Sequence, residues 1–402
     1  MSLSHANPGP ARLLWDRAGL WGLMTLETCW AQGLRLWPIS AAEVAAGGLA
    51  GARLLVVPGG WPSLKHAALG RAGRQAVRDF VAGGGSYLGF CGGAGLALGE
   101  ADGLGLLPLG RERGGGRVPS LNGPVLVRPA PGAAQHPLWQ GLAVPARLFV
   151  WWPGQFGPCP PEGIRPLALY QGPTPELYSS DLKVKAVGGD WDLHENDYGL
   201  NLNPAALWGR PAVVGASYGQ GRVVASYLHL DTPSDAPGGR ALANLWEAWL
   251  GPEGNMPPRA LLCQGTPTGP AAELAVAARE VFDLGRDMGL WAPRSEVMPL
   301  WQRGARGLEI WTLTRLTGAV AACARRPGAP RLDRLRELLA PVVEQAPHVL
   351  QAQASRLRGE PAAPGVEAQW FPAPRRTGGP LAALLEALEE AVLSLLNQGS
   401  GD

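Results

Sequence analysis

The stretch from Arg53 to Gly93 constrains the fold most. Arg53 to Val57 is an apolar, strand-like run that stops at Pro58-Gly59-Gly60, and Ser86 to Phe90 is a second such run that enters Cys91-Gly92-Gly93-Ala94-Gly95-Leu96. Between them, Arg71 to Ala82 has helical spacing, with Ala72, Ala76, Phe80 and Val81 near one face and Arg71, Arg74, Arg78 and Asp79 elsewhere, and it ends at Gly83-Gly84-Gly85. Two strands joined through a helix pair in parallel and are buried on both faces, so the runs predict the core of an α/β sheet. Upstream, Arg12 to Trp15 reads as a strand, Leu20 to Gln32 as a helix and Leu34 to Ile39 as another strand. The expected fold is a flavodoxin-like parallel sheet flanked by helices.

From Val125 to Tyr227 the pattern changes to short strands separated by proline and glycine: Val125 to Val127, Leu148 to Trp151, Leu167 to Tyr170, Val213 to Ser217 and Arg222 to Leu228. These read as antiparallel additions at the sheet edge, the last two joined by the tight turn Tyr218-Gly219-Gln220-Gly221. A polar insertion between Tyr170 and Pro211 is too long for a simple loop and suits a lid or contact surface. Gly251 to Pro258 is rich in proline and glycine, which places a domain boundary there and divides the chain into 1–253 and 254–402. Past it, Ala271 to Leu290, Gly307 to Arg325, Leu332 to Arg358 and Pro380 to Gln398 are helix-like, so an all-α domain is expected. Pro341 and Pro347 are expected to kink or divide the third of these helices, and Pro361 to Pro374 to form a loop. The role of this half is not legible in its residues.

Composition excludes more than it assigns. Lys+Arg number 35 against 33 Asp+Glu, a net charge of +2 that is too balanced for a chain whose main task is neutralising nucleic acid or anionic lipid. The five cysteines, Cys29, Cys91, Cys159, Cys263 and Cys323, are scattered without a Cys-x-x-Cys pair, which favours a reducing compartment over a disulfide framework or a cysteine-rich zinc site. Met1 to Leu14 lacks a basic segment followed by an apolar stretch, and no run of about 18 uncharged apolar residues occurs, so a cytoplasmic protein with no membrane partner is expected. No Gly-x-x-x-x-Gly-Lys-Ser/Thr phosphate loop is present, and neither a cofactor nor a metal is expected.

Gly89-Phe90-Cys91-Gly92-Gly93 has the form small-x-nucleophile-x-small required by a strained strand-to-helix elbow. There Cys91 projects from the carboxyl edge of the sheet, where unpaired helix amides favour its thiolate. The Gly92 amide is a candidate oxyanion donor, and Gly59 or Gly60, on the loop after the neighbouring strand, a second. A thiol nucleophile needs a base, and His229 follows the strand Arg222 to Leu228, with Asp231 two residues on to orient the imidazole. Each element has a plainer reading: a cysteine after a strand is often a small buried hydrophobe, and His229-Leu230-Asp231 alone is more often a solvated loop. Together they favour a triad. His194 amid Asp190, Asp192, Glu195 and Asp197 suits a polar loop tip better than a cation site, and His66 suits a surface loop. Trp61, Trp151 and Trp152 fit a pocket wall or the core equally well. Cys29, Cys159, Cys263 and Cys323 are packing residues.

Taken together, Pro58-Gly59-Gly60, Gly84 to Gly93, Tyr218-Gly219-Gln220-Gly221-Arg222 and His229-Leu230-Asp231 resemble the class I glutamine amidotransferase-like superfamily. Within it they are most similar to the domain at the amino end of certain biotin-protein ligases, a likeness that also takes in His136 to Trp139 and Trp151 to Phe156 and covers about residues 10 to 235. The resemblance implies that Cys91 is the nucleophile, His229 the base and Asp231 its partner, with the Gly60 and Gly92 amides holding the oxyanion. It implies hydrolysis of a small-molecule amide through a thioester, with a synthetase or other protein as partner. The family's usual His-x-Glu is His-x-Asp here, one methylene shorter, so the backbone must bring the carboxylate closer. The region after Gly251 has no ligase pattern and no Gly-Arg-Gly-Arg-like biotin-adenylate loop, so biotin ligation is not expected. The alternative expectation is a catalytically silent ligand-binding or regulatory module whose helical domain engages a partner.

Overall fold

A computed structural model describes residues 9–157, 162–261, 269, 271–324, 332–361, 365–373 and 376–398. The chain divides into two compact units, one spanning 7–259 and one beginning at 260. In the first, β1 (Ala11–Leu14), α1 (Gly19–Ala31), β2 (Trp37–Ile39), α2 (Ala41–Ala45), β3 (Leu54–Val57), α3 (Pro62–Ala82), β4 (Ser86–Phe90) and α4 (Gly92–Ala97) alternate along the chain. They are followed by β5 (Leu121–Pro129), β6 (Ala146–Trp151), β7 (Arg165–Pro173), β8 (Tyr178–Ser179), β9 (Leu182–Lys183), α5 (Trp191–Tyr198), β10 (Pro211–Tyr218), β11 (Gly221–Ser226) and α6 (Ala236–Leu250).

These strands form one mixed sheet in the order β2-β1-β3-β4-β11-β10-β7-β5-β8-β9, with β6 also on β5. From β2 to β11 every pair is parallel; from β11 outward every pair is antiparallel. The parallel half therefore has the flavodoxin-like order, with β11 as its fifth strand, and the antiparallel half extends its edge. Its central strands are apolar throughout because helices cover both faces: β3 and β4 have no exposed residue. Leu69, Val77 and Val81 of α3 pack on Leu55, Val57, Tyr87, Val223 and Ala225 of the sheet. Because the order turns back at β1, right-handed crossovers place α1 on the opposite face from α3. The loops after β1 and β3 thus diverge at the switch point, the usual place for a ligand in such a sheet.

Several local expectations shift. Arg71 to Ala82 is helical, as its spacing indicates; α3 also takes in an earlier helical stretch from Pro62, whose proline occupies the first turn, where its missing N–H costs nothing, and the two stretches meet at a kink at Gly70, φ +57° and ψ −172°. The strand expected from Leu34 is confined to Trp37–Ile39. Helix α2, not anticipated above, starts at Ser40-x-x-Glu43, a capping box in which the Glu43 N–H donates to Ser40 Oγ and the Ser40 N–H to Glu43 Oε2, at 3.1 and 2.7 Å. The 171–210 insertion holds the β8–β9 ribbon and α5, which buries none of its residues.

The second unit contains α7 (Ala272–Asp287), β12 (Trp291–Ala292), β13 (Leu300–Trp301), α8 (Gly307–Cys323), α9 (Leu332–Leu357), α10 (Val366–Trp370) and α11 (Gly379–Gln398). Leu381, Leu384, Leu388, Val392, Leu395 and Leu396 bury one stripe of α11, which packs on α8 and α9. Two differences stand out from an all-helical expectation. A two-residue antiparallel ribbon pairs Trp291 with Trp301 and Ala292 with Leu300. Helix α9 runs undivided through Pro341 and Pro347, each of which removes one donor while the turns on either side keep theirs. The short α10 lies within the expected 361–374 loop, part of which falls outside the described residues. Among the described residues no helix is long and apolar enough to cross a membrane.

Candidate active site

Cys91 stands at the turn from β4 into α4 with φ +46° and ψ −101°, backbone angles that non-glycine residues rarely adopt. The turn is held at both ends: the Cys91 N–H donates to Ser226 O at 2.7 Å, continuing the β4–β11 pairing, and its carbonyl accepts from the Gly95 N–H at 2.9 Å. The glycines around it are required by close approach. A Cβ on Gly89 would lie 2.5 Å from the Gly93 carbonyl carbon, and one on Gly93 would lie 2.0 Å from Val57 O. The elbow therefore packs backbone to backbone and leaves Cys91 half-buried at the sheet's carboxyl edge. Its sulfur faces the Trp151 and Trp152 carbonyls at 3.8 and 4.0 Å, and Trp152 is itself at φ +50°.

His229 and Asp231 come to the same edge on the segment after β11, both wholly buried. His229 Nδ1 lies 2.9 Å from Asp231 Oδ1. The second carboxylate oxygen accepts from the Thr25 hydroxyl at 2.6 Å, and the Asp231 carbonyl accepts from Thr28 at 2.8 Å, so α1 fixes the acid from behind. The shorter Asp thus reaches the imidazole. The ring packs against Trp21, centroids 5.0 Å apart, and Trp21 meets Trp152 edge-on. Burial pushes the His229 pKa down, but the Asp231 carboxylate and the nearby Cys91 sulfur outweigh it and hold the ring at about 9. Its other nitrogen, Nε2, is buried and makes no hydrogen bond of ordinary geometry.

The glycines singled out in sequence gather around this pair. Gly92 abuts Gly60: a Cβ on Gly92 would stand 1.9 Å from Gly60 O and 3.1 Å from Gly60 N. Gly60 has φ +103°, and a Cβ on Gly59 would come within 3.0 Å of His229 Cε1. Cys91, His229, Asp231, Gly59, Gly60 and Gly92 are thus neighbours, drawn from the ends of β3, β4 and β11.

Other candidates fall elsewhere. His66 is on α3 and His194 on α5, where its ring meets Tyr198 edge-on; neither is in a loop. Among the described residues no three His, Cys, Asp or Glu side chains gather to hold a metal ion. Trp151 is buried and donates from Nε1 to Thr232 at 3.1 Å, whereas Trp152 is half-buried and Trp61 exposed. Cys29 is buried in α1, its thiol pushed well up by burial and then by Asp231, and Cys323 is buried in α8. Cys159 and Cys263 lie outside the described residues.

Sequence reasoning missed five contributors. Trp21 and Thr25 are one turn apart on α1 and were legible only as helix residues. Lys65 is fully buried in the first turns of α3. Tyr170 and Tyr227 bury hydroxyls without partners, both held as neutral phenols by burial.

By sequence, residues 43–101 match the family described as "Biotin-protein ligase, N terminal", a span that holds Pro58-Gly59-Gly60, β4 and the Cys91 elbow. No curated protein sequence matches the chain. Solved structures similar to it include a glutamine amidotransferase at 20% identity, covering 60% of this chain and 100% of that one with a TM-score of 0.39. A β-galactosidase from Bacillus circulans sp. alkalophilus is 16% identical, covering 66% and 34%, with a TM-score of 0.36. PurLQS from Thermotoga maritima is 10% identical, covering 60% and 99%, with a TM-score of 0.39. The sequence match to the biotin-protein ligase N-terminal family thus falls on the part of the chain that builds the elbow.

Proposed function

We propose that this chain is a cysteine-dependent amide hydrolase of the glutamine amidotransferase-like kind, its site carried by residues 1–253 and its helical remainder available to a protein partner such as a synthetase. The observation that carries the reading is a cysteine on a strained elbow beside a buried imidazole whose Nδ1 lies 2.9 Å from a carboxylate oxygen. The Cys91 thiolate attacks the carbonyl carbon of a small-molecule amide; a C–S bond forms and the carbonyl π electrons move to oxygen. The Gly60 and Gly92 amides stabilise that oxyanion. As it collapses, the C–N bond breaks and His229 gives its proton to the leaving amine, leaving a thioester. Water then attacks the thioester while His229 takes one of its protons; the C–S bond breaks, restoring the Cys91 thiolate, and the carboxylic acid leaves and gives its proton to solvent. Asp231 holds the ring's orientation throughout, and Thr25 holds Asp231. Free cysteines at 29, 91 and 323 suit a reducing cytoplasm.

The test is site-resolved alkylation of the full chain with iodoacetamide at pH 7, read by peptide mass. Cys91 is expected to react at least about tenfold faster than Cys29 or Cys323, and His229→Ala to remove most of that advantage. Ammonia release from a panel of primary amides then identifies the substrate. Equal, slow labelling of the three thiols would overturn the reading and favour a silent ligand-binding module. One observation speaks for that second reading: the Cys91 sulfur faces two carbonyls, Trp151 O and Trp152 O, and makes no hydrogen bond of ordinary geometry to His229 Nε2.

A further inference from the structure

Lys65 has no exposed surface, and an ammonium group is buried at a cost unless polar groups surround it. It sits one turn into α3, just after Pro58-Gly59-Gly60, and its side chain crosses the switch point of the sheet. Nζ donates to Arg17 O at 3.1 Å and lies 3.5 Å from Asp16 O, both carbonyls of the loop that follows β1. In that loop Arg17 has φ +56°, an angle that non-glycine residues rarely adopt. Both partners converge on Gly60. Arg17 O lies 3.2 Å and Lys65 Cε 3.7 Å from the point where a Cβ on Gly60 would stand. The Gly60 backbone in turn touches Gly92, beside Cys91. A buried cation therefore lies one residue behind a proposed oxyanion donor, in surroundings where a charge acts at longer range than in water.

Resting on the reading of Cys91 as a nucleophile, we propose that Lys65 is a positioning residue: it ties the Gly59-Gly60 loop to the Arg17 turn and sets a positive potential at the mouth of the Cys91 site. Two consequences follow. The Gly60 amide stays fixed without contact between Lys65 and substrate, and the site favours reagents and reaction intermediates that carry negative charge near the sulfur.

The experiment compares two alkylating reagents of similar size on the full chain at pH 7, neutral iodoacetamide and anionic iodoacetate. In each, the sulfur displaces iodide from the same methylene. The ratio of the iodoacetate rate to the iodoacetamide rate at Cys91 is expected to fall about fivefold or more in Lys65→Met, with melting temperature recorded alongside. Lys65→Gln keeps a donor for Arg17 O but loses the charge, and its ratio is expected to fall similarly; it reads the potential if the methionine variant does not fold. A general structural role would slow both reagents alike and leave the ratio where it was. Fast labelling of wild-type Cys91 with a ratio unchanged in either folded variant overturns the role of Lys65 and leaves the nucleophile reading standing. Slow labelling of wild-type Cys91 by both reagents overturns the nucleophile reading and this inference with it.

Discussion

His229 Nδ1 and Asp231 Oδ1 lie 2.9 Å apart although the aspartate carries its carboxylate on one methylene fewer than a glutamate has. The difference is made up by the backbone. Past β11 the chain turns, with the Thr232 N–H and hydroxyl both donating to His229 O at 3.3 and 3.0 Å, and that turn brings residue 231 beneath the ring. Removing the carboxylate's charge removes the main influence opposing burial. In Asp231→Asn the His229 pKa is expected to fall from about 9 to below 7, followed by histidine-selective NMR, and Cys91 alkylation at pH 7 to slow by about tenfold or more. An unchanged histidine titration would refute the pairing.

The same pair makes stability depend on pH. His229 binds its proton more tightly folded than unfolded, so its contribution is complete below about 6.5 and is lost as pH rises through about 9. The loss is on the order of 3 kcal/mol for a wholly buried ring. Urea unfolding at pH 6, 8 and 10 is expected to show this decline in the wild-type chain and a flatter curve in His229→Gln. Parallel curves would mean that the imidazole is not the titrating group.

The contact between Gly92 and Gly60 sets a strict steric test. A Cβ on Gly92 would stand 1.9 Å from Gly60 O, a backbone atom with little freedom to yield. Gly92→Ala is expected to cost about 3 kcal/mol or more, or to displace the Gly59-Gly60 loop and abolish selective labelling of Cys91. Gly172→Ala in β7, where a Cβ would meet nothing within 4 Å, serves as the control and is expected to change stability by less than about 0.5 kcal/mol. Wild-type melting and labelling in Gly92→Ala would contradict the packing described.

What could be read in the sequence follows from how local each signal is. Ser86–Phe90 was read to the residue because a short apolar run bounded by glycines has one sensible role, and Cys91 followed from it. Arg71 to Ala82 is legible as a helix because its apolar spacing is uninterrupted, whereas the stretch from Pro62 is not, being set off from it by the kink at Gly70. Trp21, Thr25 and Lys65 bear on the site only through pairing of distant segments: Thr25 reaches Asp231 across 206 positions, and no periodicity encodes that contact.

Asp235 offers a prediction apart from the site. It caps α6, its Oδ2 accepting from the Gly238 N–H at 3.2 Å, yet it is buried, and burial, partly offset by Arg147 and that hydrogen bond, raises its pKa to about 7. The folded chain therefore keeps this proton from pH 3.8 to about 7 while the unfolded chain releases it, so stability falls across that window and the buried carboxylate is a burden above it. Asparagine caps a helix as well as aspartate and carries no charge. Asp235→Asn is expected to raise stability by roughly 2 kcal/mol at pH 8 and to leave it nearly unchanged at pH 4. Chemical denaturation at the two pH values separates this from a simple capping effect, which would shift both equally; a destabilised variant at pH 8 would show that the ionised carboxylate is the form the helix needs.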